Sequence, residues 1–322
     1  DDSEITDNGI SAFAEYARRF GKVQAQAGVR YEHVTSDYYE YGKKVEEQSR
    51  KYDNFFPSLA LSFPLGKVQM QLAYRASIKR PSYWDLRGNI TYANRYTYET
   101  GNPLLQPTTI QSLSLNTIYR WMSLSLSYNH YKNDYTSYVR AYSEENPTIG
   151  LLTREHIAPY NRLSASLTLS PVIGKWSPRW GVQVQRYDCK VDTPQGVETF
   201  DNPRAILSWR NTVKFTDSFW INADAYYQTK SQIDNTEYLE NNWYMNLNLY
   251  KGFMNDRMSL QLQVSDLFNT RKSHVLMYSG LRTMELDNEM RRTVSLTFRY
   301  KFNPTKSKYK GTGAGQSQKA RM

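Results

Sequence analysis

The chain has 322 residues, 41 of them Lys or Arg and 31 Asp or Glu, for a formal net charge of +10; apolar residues make up 39% and mean hydropathy is −0.72. No stretch approaches the ~20 consecutive apolar residues that a membrane-spanning helix requires, so a helical span is excluded. Lys306, Lys308, Lys310, Lys319 and Arg321 hold five of the positive charges in a basic C-terminal segment, and elsewhere Lys and Arg alternate with Glu, Asp and Gln instead of clustering on one face, which argues against nucleic acid.

Period-two alternation runs through the chain. It predicts thirteen strands near 9–19, 22–38, 52–64, 67–80, 108–119, 121–139, 153–170, 178–190, 204–215, 219–232, 240–251, 257–268 and 290–302. In the sixth, Leu124 and Leu126 oppose Ser123, Ser125 and Ser127; Leu163 to Leu169 and Leu260 to Val264 follow the same rule. The last is the clearest, with Val294, Leu296, Phe298, Tyr300 and Phe302 on one face and Ser295, Thr297, Arg299 and Lys301 on the other. One face suits lipid and the other water, which is the signature of an all-β, transmembrane, antiparallel up-and-down barrel. Low mean hydropathy does not oppose this, because alternating strands pair their backbone with neighbours. A soluble sandwich or propeller also alternates, but soluble strands average about five or six residues, and many of these segments are far longer.

Links between strands alternate in length. Short ones fall at 20–22, 65–66, 120, 171–177, 216–218 and 252–256, and long ones at 39–51, 81–107, 140–152, 191–203, 233–239 and 269–289. Short periplasmic turns and long extracellular loops are expected of an outer-membrane barrel. Phe20, Trp121, Trp176, Trp180, Phe219, Trp220 and Phe253 flank the short links, while Tyr38, Tyr135, Tyr138 and Tyr187 lie toward the long ones, as two interfacial aromatic girdles would require. Bacterial single-chain barrels close on an even number of strands, so thirteen predicts a larger barrel whose front portion precedes this chain. The opening DDSEITDNGI lacks the features of a signal peptide, consistent with a mature or incomplete chain.

Residues 1–303 are thus expected to be the C-terminal part of an outer-membrane barrel and 304–322 a basic, flexible periplasmic tail. The face carrying Gln24, Gln26, Arg30, Gln69, Gln71, Arg75, Gln183, Gln185, Gln261, Gln263, Arg299 and Lys301 is expected to line the lumen. Catalytic chemistry is not indicated, since His130 and His156 sit in no nucleophile motif. No cofactor or metal is expected either. His33, His130, His156 and His274 lack paired ligand spacing, and the acidic groups Glu46–Glu47, Glu144–Glu145 and Glu285, Asp287, Glu289 read as solvated loop charge. The single Cys189 reads as a surface thiol.

Several segments resemble the barrel of TonB-dependent receptors, particularly the outer-membrane β-barrel family of Bacteroidetes. AYRASIKRPSYWDL (73–86) is similar to that family's strand ending in an Arg-Pro step before a large extracellular loop, and GNPLLQPT (101–108) to its return into the next strand. VSDLFNTRK (264–272), the closing strand RRTVSLTFRYKF (291–302) and the hairpin spanning 10–32 complete the likeness. Pro81 cannot donate to a ladder and holds Arg80 extended, and Gly101, Asn102, Pro103 and Pro107 read chiefly as loop geometry.

The resemblance implies a 22-stranded barrel, of which these are the last thirteen strands, occluded by an N-terminal plug domain and energised by a TonB-type coupling protein. The implied surroundings are outer-membrane lipid and lipopolysaccharide in a Gram-negative cell, with a surface lipoprotein as a further partner. The implied activity is energised uptake of a bulky nutrient: a glycan, a peptide or a siderophore-like ligand. A passive pore, an adhesin or a structural barrel is the alternative. Under the resemblance the lumen-facing residues would contact the plug. The candidate binding residues lie on the longest loop, whose aromatic faces and hydrogen-bonding groups suit such ligands: Arg80, Tyr83, Trp84, Arg87, Asn89, Tyr92, Arg95, Tyr96 and Tyr98.

Overall fold

A computed structural model describes residues 3–280 and 282–302; the basic segment expected at 304–322 lies outside the described residues. Thirteen strands form one continuous antiparallel sheet in strict sequence order. They are β1 (Ser3–Phe20), β2 (Val23–Glu40), β3 (Arg50–Leu65), β4 (Val68–Lys79), β5 (Thr108–Tyr119), β6 (Met122–Lys132), β7 (Tyr160–Leu169), β8 (Trp176–Tyr187), β9 (Arg204–Thr216), β10 (Phe219–Gln228), β11 (Asn242–Phe253), β12 (Met258–Ser265) and β13 (Thr293–Tyr300). Every connection is to the next strand, so the sheet is an up-and-down meander. Among the described residues β1 and β13 are its two ends and do not pair with each other.

Antiparallel partners project to the same side, so the register carries one face across the whole sheet. From Gln24 the row passes through Ser62, Gln71, Asn116, Ser125, Ser166 and Gln183. A further row on that face, nearer the short turns, runs from Ser177 through Thr212, Asn222, Asn248 and Gln263 to Ser295. The opposite face carries Leu72, Leu115, Leu126, Ala165 and Val184 in one row, and Val182, Leu207 and Leu167 in the next. Hydroxyl and amide side chains on the polar face bond across strands: Ser112 Oγ to Asn129 Oδ1 at 2.7 Å, Ser125 Oγ to Asn116 Oδ1 at 2.8 Å and Gln261 Nε2 to Asn248 Oδ1 at 3.0 Å.

The long links are not irregular. Most fold into hairpins: Thr91–Asn94 with Thr97–Glu99, Tyr135–Ala141 with Gly150–His156, Cys189–Thr193 with Gly196–Phe200, Ser231–Ile233 with Thr236–Tyr238, and Lys272–Ser279 with Arg282–Glu289. Two four-stranded sheets result. In one, Thr97–Glu99 runs parallel to the start of Gly150–His156; in the other, Thr236–Tyr238 pairs with Lys272–Ser279.

The structure divides four segments that the alternation reads as single strands. The expected strand 153–170 breaks at 157–159 into Gly150–His156, which belongs to a hairpin, and β7, the break ending at Pro159, which has no N–H to give to a ladder. The expected strand 121–139 leaves the wall after Lys132, where Asn133 adopts φ 58° and Asp134 Oδ1 accepts from the Tyr135 N–H (3.1 Å). The expected strand 178–190 stops at Tyr187, because the Asp188 carboxylate takes both the backbone N–H and the side-chain Nδ2 of Asn161 (2.5 and 2.7 Å). The expected strand 219–232 stops at Gln228, where Thr229 Oγ1 accepts the Ala205 N–H and Asn241 Oδ1 the Lys230 N–H (2.9 and 2.7 Å). In these last three a short polar side chain replaces a ladder carbonyl and ends the pairing.

A small core sits where these hairpins meet the wall. Tyr160, Cys189, Val191 and Phe200 are buried, with Tyr131, Ile157, Tyr187 and Tyr278 packed around them. Cys189 is 1% exposed, which corrects its reading as a surface thiol: its strand turns it inward beneath Phe200 and Tyr278, and burial pushes the thiol pKa up.

Two outcomes are expected of the full-length protein. Replacing Leu167 with Arg destabilises by about 2–4 kcal/mol in a refolding titration into bilayers if the position lies near the midplane, whereas Arg at Ser166 on the other face is tolerated. Cys189 resists a membrane-impermeant maleimide while the protein is folded and reacts on denaturation; rapid labelling of the native protein would contradict the burial.

Candidate functional site

The loop between β4 and β5 organises around Asp85. Ser82, in extended conformation (φ −71°, ψ 155°), caps a single helical turn, Tyr83–Leu86, by accepting the Asp85 N–H on its Oγ, while that Oγ also donates to Asp85 Oδ2 at 2.7 Å. Arg154, from the neighbouring 135–156 hairpin, places Nε 2.9 Å from Asp85 Oδ1 and Nη1 2.9 Å from Ser137 Oγ. The Tyr135 hydroxyl donates to Asp85 Oδ2 at 3.3 Å. Burial alone raises a carboxyl pKa, but here the bonds from Ser82, Arg154 and Tyr135 and the Arg154 charge outweigh it and hold Asp85 below the usual range. Tyr135 moves the other way, pushed up to about 12 by burial and by Asp85.

The GNP segment closes this arrangement. The Asn102 N–H donates to the Asp85 carbonyl (2.6 Å) and Asn102 Nδ2 to the Arg154 carbonyl (2.8 Å), while Thr153 Oγ1 donates to the Gly101 carbonyl (2.9 Å). A Cβ at Gly101 would stand 2.5 Å from the Asp85 carbonyl oxygen and 2.6 Å from that of Arg87, so only glycine fits. The role read for Gly101 and Asn102 is therefore the one observed: they bind the return of the loop to its own start.

Beneath the loop lies a cavity of about 440 Å³. Its walls include Asp7, Arg50, Lys79, Arg80, Tyr83, Asp85 and Tyr135, with Leu86, Leu105, Pro103 and Pro107 as apolar patches. Arg50 is held by the Pro103 and Leu105 carbonyls (3.3 and 3.4 Å), and Arg80 pairs with Glu32, a carboxylate buried to 7% exposure that also meets Arg30 at 2.9 Å. Tyr83 donates to Asp7 at 3.1 Å. Mixed charge, phenol groups and apolar patches equip the cavity to hold a polar group on an otherwise apolar ligand.

The nine loop residues expected to bind ligand fall into three places. Arg80 and Tyr83 line the cavity. Trp84 is 62% exposed, with the Arg87 guanidinium 3.6 Å from its ring centroid and Arg87 Nη1 donating to its carbonyl; Asn89 is half-buried in the following turn. Tyr92, Arg95, Tyr96 and Tyr98 lie on the 91–99 hairpin, where Tyr98 stacks on Tyr142 (4.7 Å), Tyr92 packs edge-on against Tyr98, and Arg95 stands 5.0 Å from the Tyr96 ring. Tyr92 and Tyr96 remain 67% and 56% exposed.

Gln24, Gln26, Arg30, Gln69, Gln71, Arg75, Gln183, Gln185, Gln261, Gln263 and Arg299 all share the polar face of the wall by register. Lys301 follows β13, its N–H bonded to the Arg257 carbonyl. The residues that sequence reasoning missed are Asp85, Arg154, Tyr135 and Glu32. Ser82-x-x-Asp85 is a capping-box pattern and marks Asp85 in the sequence; nothing local marks Arg154, which arrives from a separate loop. On the 272–289 hairpin, His274 joins the acidic group, with Nε2 2.6 Å from Glu285 Oε1 and Nδ1 3.8 Å from Asp287 Oδ1. Both carboxylates are well exposed.

A meander of long strands with one polar and one apolar face, topped by ordered hairpins, defines the wall of an integral outer-membrane barrel. The chain belongs to the outer membrane protein beta-barrel family, whose model matches residues 1–300, and it is accordingly an integral protein of the outer membrane. Comparison with curated protein sequences finds no match. Among solved structures it is similar to a variant of the ferric enterobactin receptor PfeA from Pseudomonas aeruginosa (17% identity over 91% of this chain and 44% of that one, TM-score 0.57). It is also similar to the FrpB iron transporter of Neisseria meningitidis (12%, 92% and 46%, TM-score 0.59) and the siderophore receptor PirA of Acinetobacter baumannii (14%, 91% and 46%, TM-score 0.55). The chain thus spans less than half the length of these relatives, and at such identities the likeness is one of fold.

Replacing Asp85 with Asn should release the 81–107 loop, with a cost of about 1–3 kcal/mol, read as faster amide exchange in that loop and not in β4 or β5. The wild-type loop should show the matching pH dependence. Because the folded pKa of Asp85 is depressed, its stabilisation is complete above the unfolded value of about 3.9 and disappears as pH falls through the lower folded value.

Proposed function

We propose that this chain is the C-terminal part of an outer-membrane receptor that takes up a bulky nutrient in an energised, TonB-dependent manner. On this reading the thirteen strands complete a 22-stranded barrel together with upstream strands that would pair with β1 and β13. The apolar face meets outer-membrane lipid and lipopolysaccharide. The polar face carrying Gln24, Gln26, Arg30, Gln69, Gln71, Arg75, Gln261, Gln263 and Arg299, with Lys301 just beyond it, lines the lumen and contacts the protein's own N-terminal plug domain. On the same reading, which the motif set supports, the chain is of the Bacteroidetes branch of the family and has a surface lipoprotein as a further partner.

One observation carries the reading. The loop after β4 is not a solvated connection: Asp85, Arg154 and Asn102 fasten it to a second loop, and it holds Trp84, Tyr92 and Tyr96 largely exposed while Tyr83 and Asp85 wall a cavity lined by charged and phenolic groups. Ordering exposed aromatics costs conformational entropy, which the bonds of this scaffold offset, and a surface ordered in advance loses less entropy when a ligand binds. Similarity in fold to receptors and transporters of iron supports the same conclusion. The ligand class that suits such a surface is large and amphipathic, whether glycan, peptide or siderophore-like. A passive pore, adhesin or purely structural barrel is the competing function.

Replacing Trp84, Tyr92 and Tyr96 with Ala in the full-length protein is expected to weaken capture of the transported nutrient by about 1–3 kcal/mol in sum while membrane assembly is unaffected, since these side chains are largely exposed and lie on the loop, not on a strand of the wall. Binding of siderophore, oligosaccharide and peptide probes to whole cells measures this. Uptake should also stop when the TonB system is deleted; uptake that continues unchanged, or ion conductance independent of the proton-motive force, would establish the passive pore instead.

A further inference from the structure

The 91–99 hairpin is held from an unexpected direction. Arg282, in the last extracellular hairpin, donates Nη1 to Thr97 Oγ1 (2.9 Å) and Nη2 to the Tyr96 carbonyl (2.7 Å), across 185 and 186 residues of sequence. The same carbonyl accepts the Gly150 N–H at 2.9 Å, so it is the meeting point of three loops. Gly150 leaves the space in which the guanidinium lies: a Cβ there would stand 2.7 Å from Arg282 Cζ and 2.8 Å from Nη2. A second contact fixes the same hairpin. Ser279 Oγ donates to the Ser137 carbonyl at 2.7 Å, and Gly280 bridges to Val139 with φ 63°, where a Cβ would meet the Val139 carbonyl at 2.5 Å.

Among the described residues Arg282 makes no salt bridge, although Glu285, Asp287 and Glu289 follow it on the same strand. Its donors go instead to a neutral hydroxyl and a backbone carbonyl. Two donors in a fixed fork, aimed at two acceptors on consecutive residues, suit arginine and not lysine, whose ammonium is a point charge on a flexible stem.

We infer that Arg282 is a latch: it positions the 91–99 hairpin, and through it Tyr92 and Tyr96, by joining that hairpin to the 135–156 and 272–289 hairpins as one body. The importance of that hairpin rests on the proposed binding role, but the latch itself does not. Arg282 acts through the Tyr96 backbone and lies outside the aromatic surface, so it is a positioning residue.

The test uses full-length protein in detergent, with Arg282→Ala, Arg282→Lys and Gly150→Val, the last of which fills the guanidinium seat without removing charge. Hydrogen exchange at residues 94–99 is expected to accelerate at least tenfold in R282A and G150V and less in R282K, with β5 and β6 unchanged as internal controls. Capture by cells of whichever siderophore, oligosaccharide or peptide probe the wild type binds is expected to fall about tenfold in R282A, and to fall no further when R282A is added to the Tyr92→Ala, Tyr96→Ala double variant, because both changes act through one hairpin. Unchanged exchange at residues 94–99 in both R282A and G150V overturns the latch. Accelerated exchange with undiminished capture upholds it and instead removes the 91–99 hairpin from the binding site.

Discussion

No water reaches the hydrocarbon of a bilayer, so every backbone N–H and C=O that enters it must be bonded by the chain itself. That constraint sets the form of this protein. Thirteen strands pair in strict order, each with the next, and the pairing fixes a register from β2 to β13 that a bulge between Lys214 and Thr216 on β9 shifts only at the end of that strand. Once register is set, side-chain direction follows, since a slip of one residue would move a row of leucines into the polar face. The chain also shows where the constraint ends. Asp134, Asp188 and the Thr229–Asn241 pair take backbone N–H groups away from the ladder just above the wall, where water can satisfy what is left over.

Above the rim the backbone is free to be disordered, yet it is not. Half-buried Asp85 and Arg154 hold two loops together by a charge-assisted bond supported by Ser82, Ser137 and Tyr135. A carboxylate and a guanidinium at that depth are stable because each also has neutral partners, Ser82 and Tyr135 for Asp85, Ser137 and the Thr153 carbonyl for Arg154. The small core of Tyr160, Cys189, Val191 and Phe200 works differently, by removing apolar surface from water at roughly 25 cal/mol per Å². Together the two devices leave the loops few alternatives to a single arrangement. The aromatics that remain outside, Trp84, Tyr92 and Tyr96, are presented on a rigid base.

Period-two alternation made the wall legible from residues alone. Leu124, Leu126, Leu296 and Phe298 against Ser125, Gln263 and Thr297 announced two faces, and the thirteen expected strands correspond one for one with the thirteen observed. The reading failed where alternation continued past the wall. The expected strand 121–139 runs on into Tyr135–Ala141, but that segment belongs to another sheet, because a single residue in the left-handed region, Asn133, redirects the chain. Cys189 was misread for a related reason. Its neighbours in sequence are polar, whereas its neighbours in space, Phe200 and Tyr278, come from other strands.

What the sequence determined by itself was therefore everything that depends on local period: an all-β wall, its two faces, the alternation of short turns and long links, and the Arg80-Pro81 and Gly101-Asn102-Pro103 steps at either end of the longest loop. Tertiary structure alone decided which loops touch. Asp85 meets Arg154, Glu32 meets Arg80, and Arg282 reaches Tyr96 and Thr97 only because the wall brings the ends of distant strands side by side. Such pairings leave no trace in periodicity, since each partner is an ordinary polar or charged group within its own segment and becomes specific only through the desolvation and geometry that the other segment supplies.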